Sequence, residues 1–255
     1  MTELPRRPDG ICALVTGAGS GIGRSVALRL AELGLPVAAV DIDGKGVERT
    51  ATVIRSMGAR VEAYRADASS EADVARVFRD AEAALGPIGI LVNVAGIQSS
   101  GATVRDTSLD EWRRVLRVNL NSVFLCCRAA IPGMLGLGWG RIVSTSSVLS
   151  ARGRAGTAPY ATSKAGIVGL TRSLALELAD RNITVNAILP SMVDTPLVRS
   201  TSTEEQIVAR GRELGIGRVA EPEEIAGVVA FLISDDASYV SGHSLTISGG
   251  SYILA

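Results

Sequence analysis

Tyr160 and Lys164 stand four residues apart in Tyr160-Ala161-Thr162-Ser163-Lys164, in a chain whose only other lysine is Lys45. Positions i and i+4 share one face of an α-helix, so a phenol and an ammonium at this spacing can act on the same small molecule. The remaining 24 basic residues are arginine. A lysine differs chemically: its ammonium is a compact point charge that fits beside another donor and shifts its pKa when buried. A cation about 4 Å from a phenol supplies about 4 kcal/mol at an effective dielectric of about 20, enough to bring a pKa near 10 toward neutrality. Simple counting gives a Tyr-x-x-x-Lys by chance about 3% of the time. An incidental surface pair has the same spacing, so the rest of the chain must decide.

Other chemistries find little support. Cys12, Cys126 and Cys127 have neither metal nor disulfide spacing, and adjacent Cys126 and Cys127 point to different helix faces, as core residues do. His243 is the sole histidine, in an alternating run that reads as a strand. One histidine without an acidic cluster makes neither a catalytic zinc site nor a Ser-His-Asp triad, so no metal is expected.

A second chemical segment is Thr16-Gly-Ala-Gly-Ser-Gly-Ile-Gly23, after a short apolar run and before a helical one. Gly17, Gly21 and Gly23 form G-x-x-x-G-x-G rather than the strict G-x-G-x-x-G. With Ser20 and Ile22 they make a turn whose bare backbone can approach a pyrophosphate at a helix N-terminus. Asp41 lies 18 residues past Gly23, closing the next apolar run, where an acid can bind the adenosine-ribose hydroxyls. A carboxylate about 4 Å from a phosphate costs about 4 kcal/mol at an effective dielectric of about 20. No basic residue at Ser20 or Ile42 offsets it, and Arg24 and Lys45 are the nearest candidates. NAD is therefore expected over NADP.

The elements that must position these groups alternate along the chain. Ile11–Thr16, Val37–Val40, Arg60–Arg65, Ile88–Asn93, Arg141–Ser146 and Ile183–Ile188 read as short buried strands, with helical segments between them. This is the βαβ pattern of a parallel sheet covered on both faces. The expected fold is α/β: a doubly wound, Rossmann-type single domain over residues 11–255. Its seven-stranded sheet is mostly or wholly parallel, and residues 1–10 form a flexible lead-in. Helices over about Leu109–Leu137 and Pro159–Asp180 are apolar on more than one face, which predicts a homo-oligomer, a tetramer or a dimer, that covers them. With 26 Lys and Arg balancing 26 Asp and Glu, no basic run marks a nucleic-acid partner. No stretch reads as a bilayer span of about 20 apolar residues, and the N-terminus lacks an apolar signal core. A cytoplasmic protein is expected.

Three further segments fall into line: Asn93-Val-Ala-Gly96 after one strand, Val118-Asn119-Leu120 inside the long helix, and Ile142-Val-Ser-Thr-Ser-Ser147 ending another strand, 13 residues before Tyr160. With the glycine turn and the Tyr-x-x-x-Lys, the chain strongly resembles the short-chain dehydrogenase/reductase family, in its branch of about 250 residues, from roughly residue 10 to 252. The resemblance implies an oxidoreductase with Tyr160 as general acid/base and Ser147 orienting the substrate oxygen. Lys164 would bind the nicotinamide ribose, and Asn119 would hold a water that passes protons toward Lys164. The spacing to Tyr160 selects Ser147 among Ser144, Ser146 and Ser147. The resemblance also places Asp67 and Ala68 by the adenine and Asn93, Ala95 and Gly96 along the cofactor, with Pro190, Val193 and Thr195 around the carboxamide. Ser191 departs from the family's Pro-Gly and Ser248 from its Asp-Gly-Gly.

Residues 192–216 form a long segment that, by the same resemblance, covers the substrate. Gln98, Leu149, Met192, Leu197 and Val198, together with Ser147 and Tyr160, would line its pocket. The expected activity is NAD-dependent interconversion of a secondary alcohol and a ketone: a polyol, sugar, hydroxysteroid or other cyclic alcohol. The alternative is an NADPH-linked 3-oxoacyl-thioester reductase, against which stands Ser20, where such enzymes carry a basic residue. A third reading, a cofactor-sensing binding protein, has no use for a proton path through Asn119, Ser147, Tyr160 and Lys164.

Overall fold

Apolar residues alternate in direction along each strand, and two helical layers take up the two faces. The computed structural model describes residues 6–252; half of the expected lead-in, residues 1–5, lies outside that range. The strands are β1 (Cys12–Thr16), β2 (Val37–Asp41), β3 (Val61–Arg65), β4 (Ile88–Asn93), β5 (Gly140–Thr145), β6 (Ile183–Pro190) and β7 (Ser244–Ile247). They form one parallel sheet in the order β3-β2-β1-β4-β5-β6-β7. Ala13 and Val15 face one layer, built on α1 (Gly21–Glu32), α2 (Gly44–Ser56) and α10 (Pro222–Leu232). Cys12 and Leu14 face the other, built on α3 (Glu71–Leu85), α5 (Ser122–Leu137) and α7 (Ala158–Glu177). All three cysteines are buried; burial pushes the Cys12 and Cys127 thiols up to about 12 and Cys126 higher still, so they serve as core residues. His243 stands just before β7 and enters the sheet through its backbone, its N–H donating to Asn186 Oδ1 at 3.1 Å.

The winding reverses between β1 and β4, which opens a crevice at the carboxyl ends of the strands. The long helix lies along this crevice. It runs from α4 (Leu109–Leu116) through a π-helical turn (Arg117–Asn121) into α5 without a break. By length and composition Leu109–Leu137 is long and apolar enough to cross a membrane, contrary to the expectation from sequence. Here its buried face, Val123, Cys126, Cys127, Ala130 and Met134, packs into the sheet's second layer.

The expected loop at 192–216 is not continuous coil. It contains α8 (Pro196–Arg199) and α9 (Glu204–Arg212). Thr195 caps α8, and Thr203 with Gln206 forms a capping box on α9. Polar Thr201-Ser202-Thr203 is therefore a helix start. Arg199 clamps the segment by donating to Asp194 Oδ1 at 2.6 Å and to Glu204 Oε2 at 2.5 Å. The short α6 (Leu149–Arg152) follows the serine strand.

Candidate active site

Thr16 ends β1, and its Oγ1 accepts from the N–H groups of Val94 and Ala95 at 3.1 and 3.2 Å. This joins the two strand ends that flank the crevice. The glycine turn begins beside that joint. Gly17 has φ +69°, and a Cβ there would stand 2.9 Å from Ala95 N; a Cβ on Gly23 would overlap the Gly17 carbonyl oxygen. Ser20 caps α1 without a side-chain hydrogen bond, and no acid sits in the first turn. The free N–H groups and the positive end of the helix dipole thus face the crevice, the environment a pyrophosphate requires. These residues fit a dinucleotide.

Asp41 ends β2 at the same rim. Its Oδ2 accepts from Gly19 N at 2.8 Å and its Oδ1 from Asp43 N at 2.9 Å, so two backbone donors fix the carboxylate. The next residue, Ile42, is apolar and 66% exposed, so that position adds no charge beside the acid. The sheet places Arg65 in register with Asp41. Its side chain packs along Gly44, and among the described residues it forms no ion pair with Asp41. Beyond β3, Asp67 and Ala68 line the crevice. Asp67 Oδ1 accepts from both the N–H and the hydroxyl of Ser69, at 2.8 and 2.6 Å.

At the other end the crevice, about 650 Å³ in volume, is lined by Gly96, Gln98, Ser147, Tyr160, Lys164 and Pro190. Val193, on an isolated bridge to Ala220, and Thr195 complete the wall. Lys164 is buried, and its Nζ donates to the Thr145 carbonyl at 2.7 Å. Ser146 donates to the Lys164 carbonyl at 2.7 Å, which fixes α7 against the end of β5. Ser144 is used inside the sheet as an acceptor for Asn93 Nδ2 at 3.1 Å. Of the three serines, Ser147 is the one whose hydroxyl stands beside the Tyr160 phenol.

The electrostatics differ from the sequence expectation. Burial pushes the Tyr160 phenol above its ordinary value, while the Ser147 hydroxyl and the charge of Arg154 act in the opposite direction. The ammonium does not bring the phenol down. It lies 5.7 Å from the ring centroid, directed at Thr145, and burial lowers its own pKa to about 8. Desolvation of both groups outweighs their pairing.

Four expected site residues stand behind the wall rather than in it. Asn93 is 3% exposed and holds Ser144 and Cys127 Sγ, because its side chain points into the layer under α5. Asn119 is fully buried. Its Oδ1 accepts from Ile97 N at 2.8 Å, and its Nδ2 donates to the Ile97 carbonyl at 3.0 Å and to Ser163 Oγ at 3.1 Å. Leu149 opens α6 with its side chain in the core. Met192 is half-buried and absent from the crevice lining, and its carbonyl accepts from Ala220 N at 3.0 Å. Leu197 and Val198 line the crevice, and so do Arg114 and Arg117, which sequence reasoning missed; Arg117 precedes Val118-Asn119 directly, and that adjacency was the available signal. At Ser191 the missing glycine is accommodated by extended pairing, with its N–H donating to the Ile247 carbonyl at 2.9 Å. Ser248 closes a local turn with Tyr252.

A seven-stranded parallel sheet with a glycine turn at its switch point and Ser, Tyr and Lys at the crevice end defines a dinucleotide-binding oxidoreductase. Residues 17–252 match the family model described as enoyl-(acyl carrier protein) reductase. The 3-oxoacyl-[acyl-carrier-protein] reductase of Pseudomonas aeruginosa is 40% identical over 96% of this chain and 98% of its own length. The cyclohexanol dehydrogenase of Acinetobacter sp. strain SE19 is 37% identical, over 93% of each chain. The crystal structure of levodione reductase superposes with a TM-score of 0.92 at 34% identity, covering 96% of this chain and 98% of that one. The chain belongs to the short-chain dehydrogenase/reductase family, whose members act on CH–OH groups with NAD(P).

Proposed function

We propose that this protein is an NAD(H)-dependent dehydrogenase of a cyclic secondary alcohol, working reversibly with the ketone, in the cytoplasm and as a homo-oligomer. The observation that carries the cofactor reading is Asp41: a carboxylate held by two backbone N–H groups at the rim, next to an uncharged Ile42. A 2′-phosphate placed there would meet a fixed negative charge. The substrate reading draws on a chemical end that mixes Gln98 with apolar Ile97, Leu197 and Val198, and on the likeness to a cyclohexanol dehydrogenase.

When bound, the dinucleotide supplies the hydride acceptor or donor. This chain's residues do the rest. The Ser147 hydroxyl holds the substrate oxygen beside the Tyr160 phenol. With burial raising its pKa, that phenol is protonated at neutral pH, the form that gives a proton to a ketone oxygen. Alcohol oxidation needs the phenolate, so its rate rises with pH. Lys164 binds the nicotinamide-ribose hydroxyls, and with a pKa near 8 it can take or give a proton in the working range. Asn119 acts as a positioning residue: it fixes Ile97 and, through Ser163, whose hydroxyl donates to the Tyr160 carbonyl at 2.7 Å, the first turns of α7. The segment 192–216 covers the substrate.

The second reading, an NADPH-linked 3-oxoacyl-thioester reductase, is favoured by the likeness to the Pseudomonas enzyme. Activity with cyclohexanol, cyclohexanone and a 3-oxoacyl thioester, each with both cofactors and followed by NAD(P)H absorbance, separates the two. Binding of NADH without any turnover, retained in Tyr160→Phe, would instead mark a cofactor sensor.

A further inference from the structure

Arg117 is the first residue of the π-helical turn that also carries Asn119, and it lines the opposite, adenine-side end of the same crevice. Its Nη1 stands 3.7 Å from Asp67 Oδ2. Arg117 belongs to the long helix and Asp67 to the segment after β3, so this ion pair joins two walls that come from different parts of the chain. The hydrogen bonding of Asp67 shows which of its atoms is available. Oδ1 is occupied by the N–H and hydroxyl of Ser69, and the Asp67 N–H is taken by Asp73 Oδ2 at 2.9 Å. Asp67 lines the crevice, and its Oδ2 accepts no hydrogen bond among the described residues, with the guanidinium at ion-pair rather than hydrogen-bond distance. Lone pairs on that oxygen stay open to an exocyclic amine. The arginine is a planar cation, the side chain that stacks best on an aromatic face; guanidinium planes cover nucleobases in the same way.

We infer that Arg117 is a cofactor-binding residue of this chain: its guanidinium, standing beside Asp67, covers the adenine base. The inference rests on the family's dinucleotide and not on the choice between NAD and NADP, because both carry the same base.

The test is equilibrium binding of NADH by its fluorescence to the wild type, Arg117→Leu and Arg117→Lys, beside reduced nicotinamide mononucleotide, which lacks the adenosine half. Circular dichroism melts confirm that each variant folds. Arg117→Leu should bind NADH about tenfold more weakly and bind the mononucleotide as the wild type does. Arg117→Lys, which keeps the charge and loses the plane, should fall between them. NADH binding by Arg117→Leu within twofold of wild type, equal weakening of both ligands, or full recovery in Arg117→Lys would each overturn the inference. Should the wild type prefer NADPH, the same comparison is made with NADPH; that outcome refutes the proposed cofactor and leaves Arg117 to be judged on its own.

Discussion

The buried Lys164 ammonium donates to the Thr145 carbonyl oxygen at 2.7 Å, which ties the second turn of α7 to the end of β5. This contact satisfies one of three donors, and burial holds the ammonium pKa at about 8, below its ordinary 10.5. Between those values the unfolded chain binds more protons than the folded one. The buried cation therefore lowers stability fully below pH 8, and the penalty fades as the pH rises toward 10.5. Melting curves of the wild type and Lys164→Met from pH 7 to 10 should show the wild type gaining relative to the variant, on the order of 3 kcal/mol across the window. A pH-independent difference would contradict the burial account.

Alcohol oxidation should accelerate with pH, because burial keeps the Tyr160 phenol protonated at neutrality. Ketone reduction, which uses the protonated phenol, should be flat or fall over the same range. Initial rates in both directions from pH 6 to 10 at saturating cofactor check this. Parallel profiles would sink it.

Asn119 occupies both its oxygen and its nitrogen with the backbone of Ile97 and with Ser163. Asn119→Ala leaves buried partners unsatisfied and should destabilise the fold by about 1–3 kcal/mol in addition to slowing turnover. Ser163→Ala removes one link of the same chain and should reduce kcat with a smaller loss in melting temperature. A Ser163→Ala enzyme with unchanged kcat would show that the route from Asn119 to α7 has no part in positioning Tyr160.

Exposed Leu176 on α7, 81% accessible, and Phe124 on α5, 47% accessible, leave apolar surface on the two helices expected to pair between subunits. Leu176→Arg should shift the protein to a smaller species in sedimentation velocity, with the monomer fold intact by circular dichroism. An unchanged sedimentation coefficient would place the subunit contact elsewhere.

Much of this arrangement was legible in the sequence because short continuous apolar runs and turn glycines are local signals. The six inferred strands each lie within two residues of the observed ones, and the glycine turn falls at the crevice. What stayed hidden depends on direction rather than spacing. Nothing local says that Asn93 and Leu149 turn inward, or that a π-helical turn inside a long helix brings Arg117 to one end of the crevice. Spacing alone put Lys164 close to the phenol. The fold aims it at Thr145, and desolvation, which spacing does not encode, then sets both pKa values. In the segment 192–216, Thr195 and Thr203 stand in the sequence as caps of two helices, which reading the segment as one long substrate cover did not resolve.

The most direct measurement is kcat/KM for cyclohexanol oxidation with NAD and with NADP, by the wild type and Tyr160→Phe. The account predicts a preference for NAD of about a hundredfold or more, as a fixed carboxylate at Asp41 requires, and a loss of at least about a hundredfold on removing the phenol hydroxyl. Equal or better turnover with NADP, or a Tyr160→Phe enzyme that keeps wild-type kcat, would contradict it.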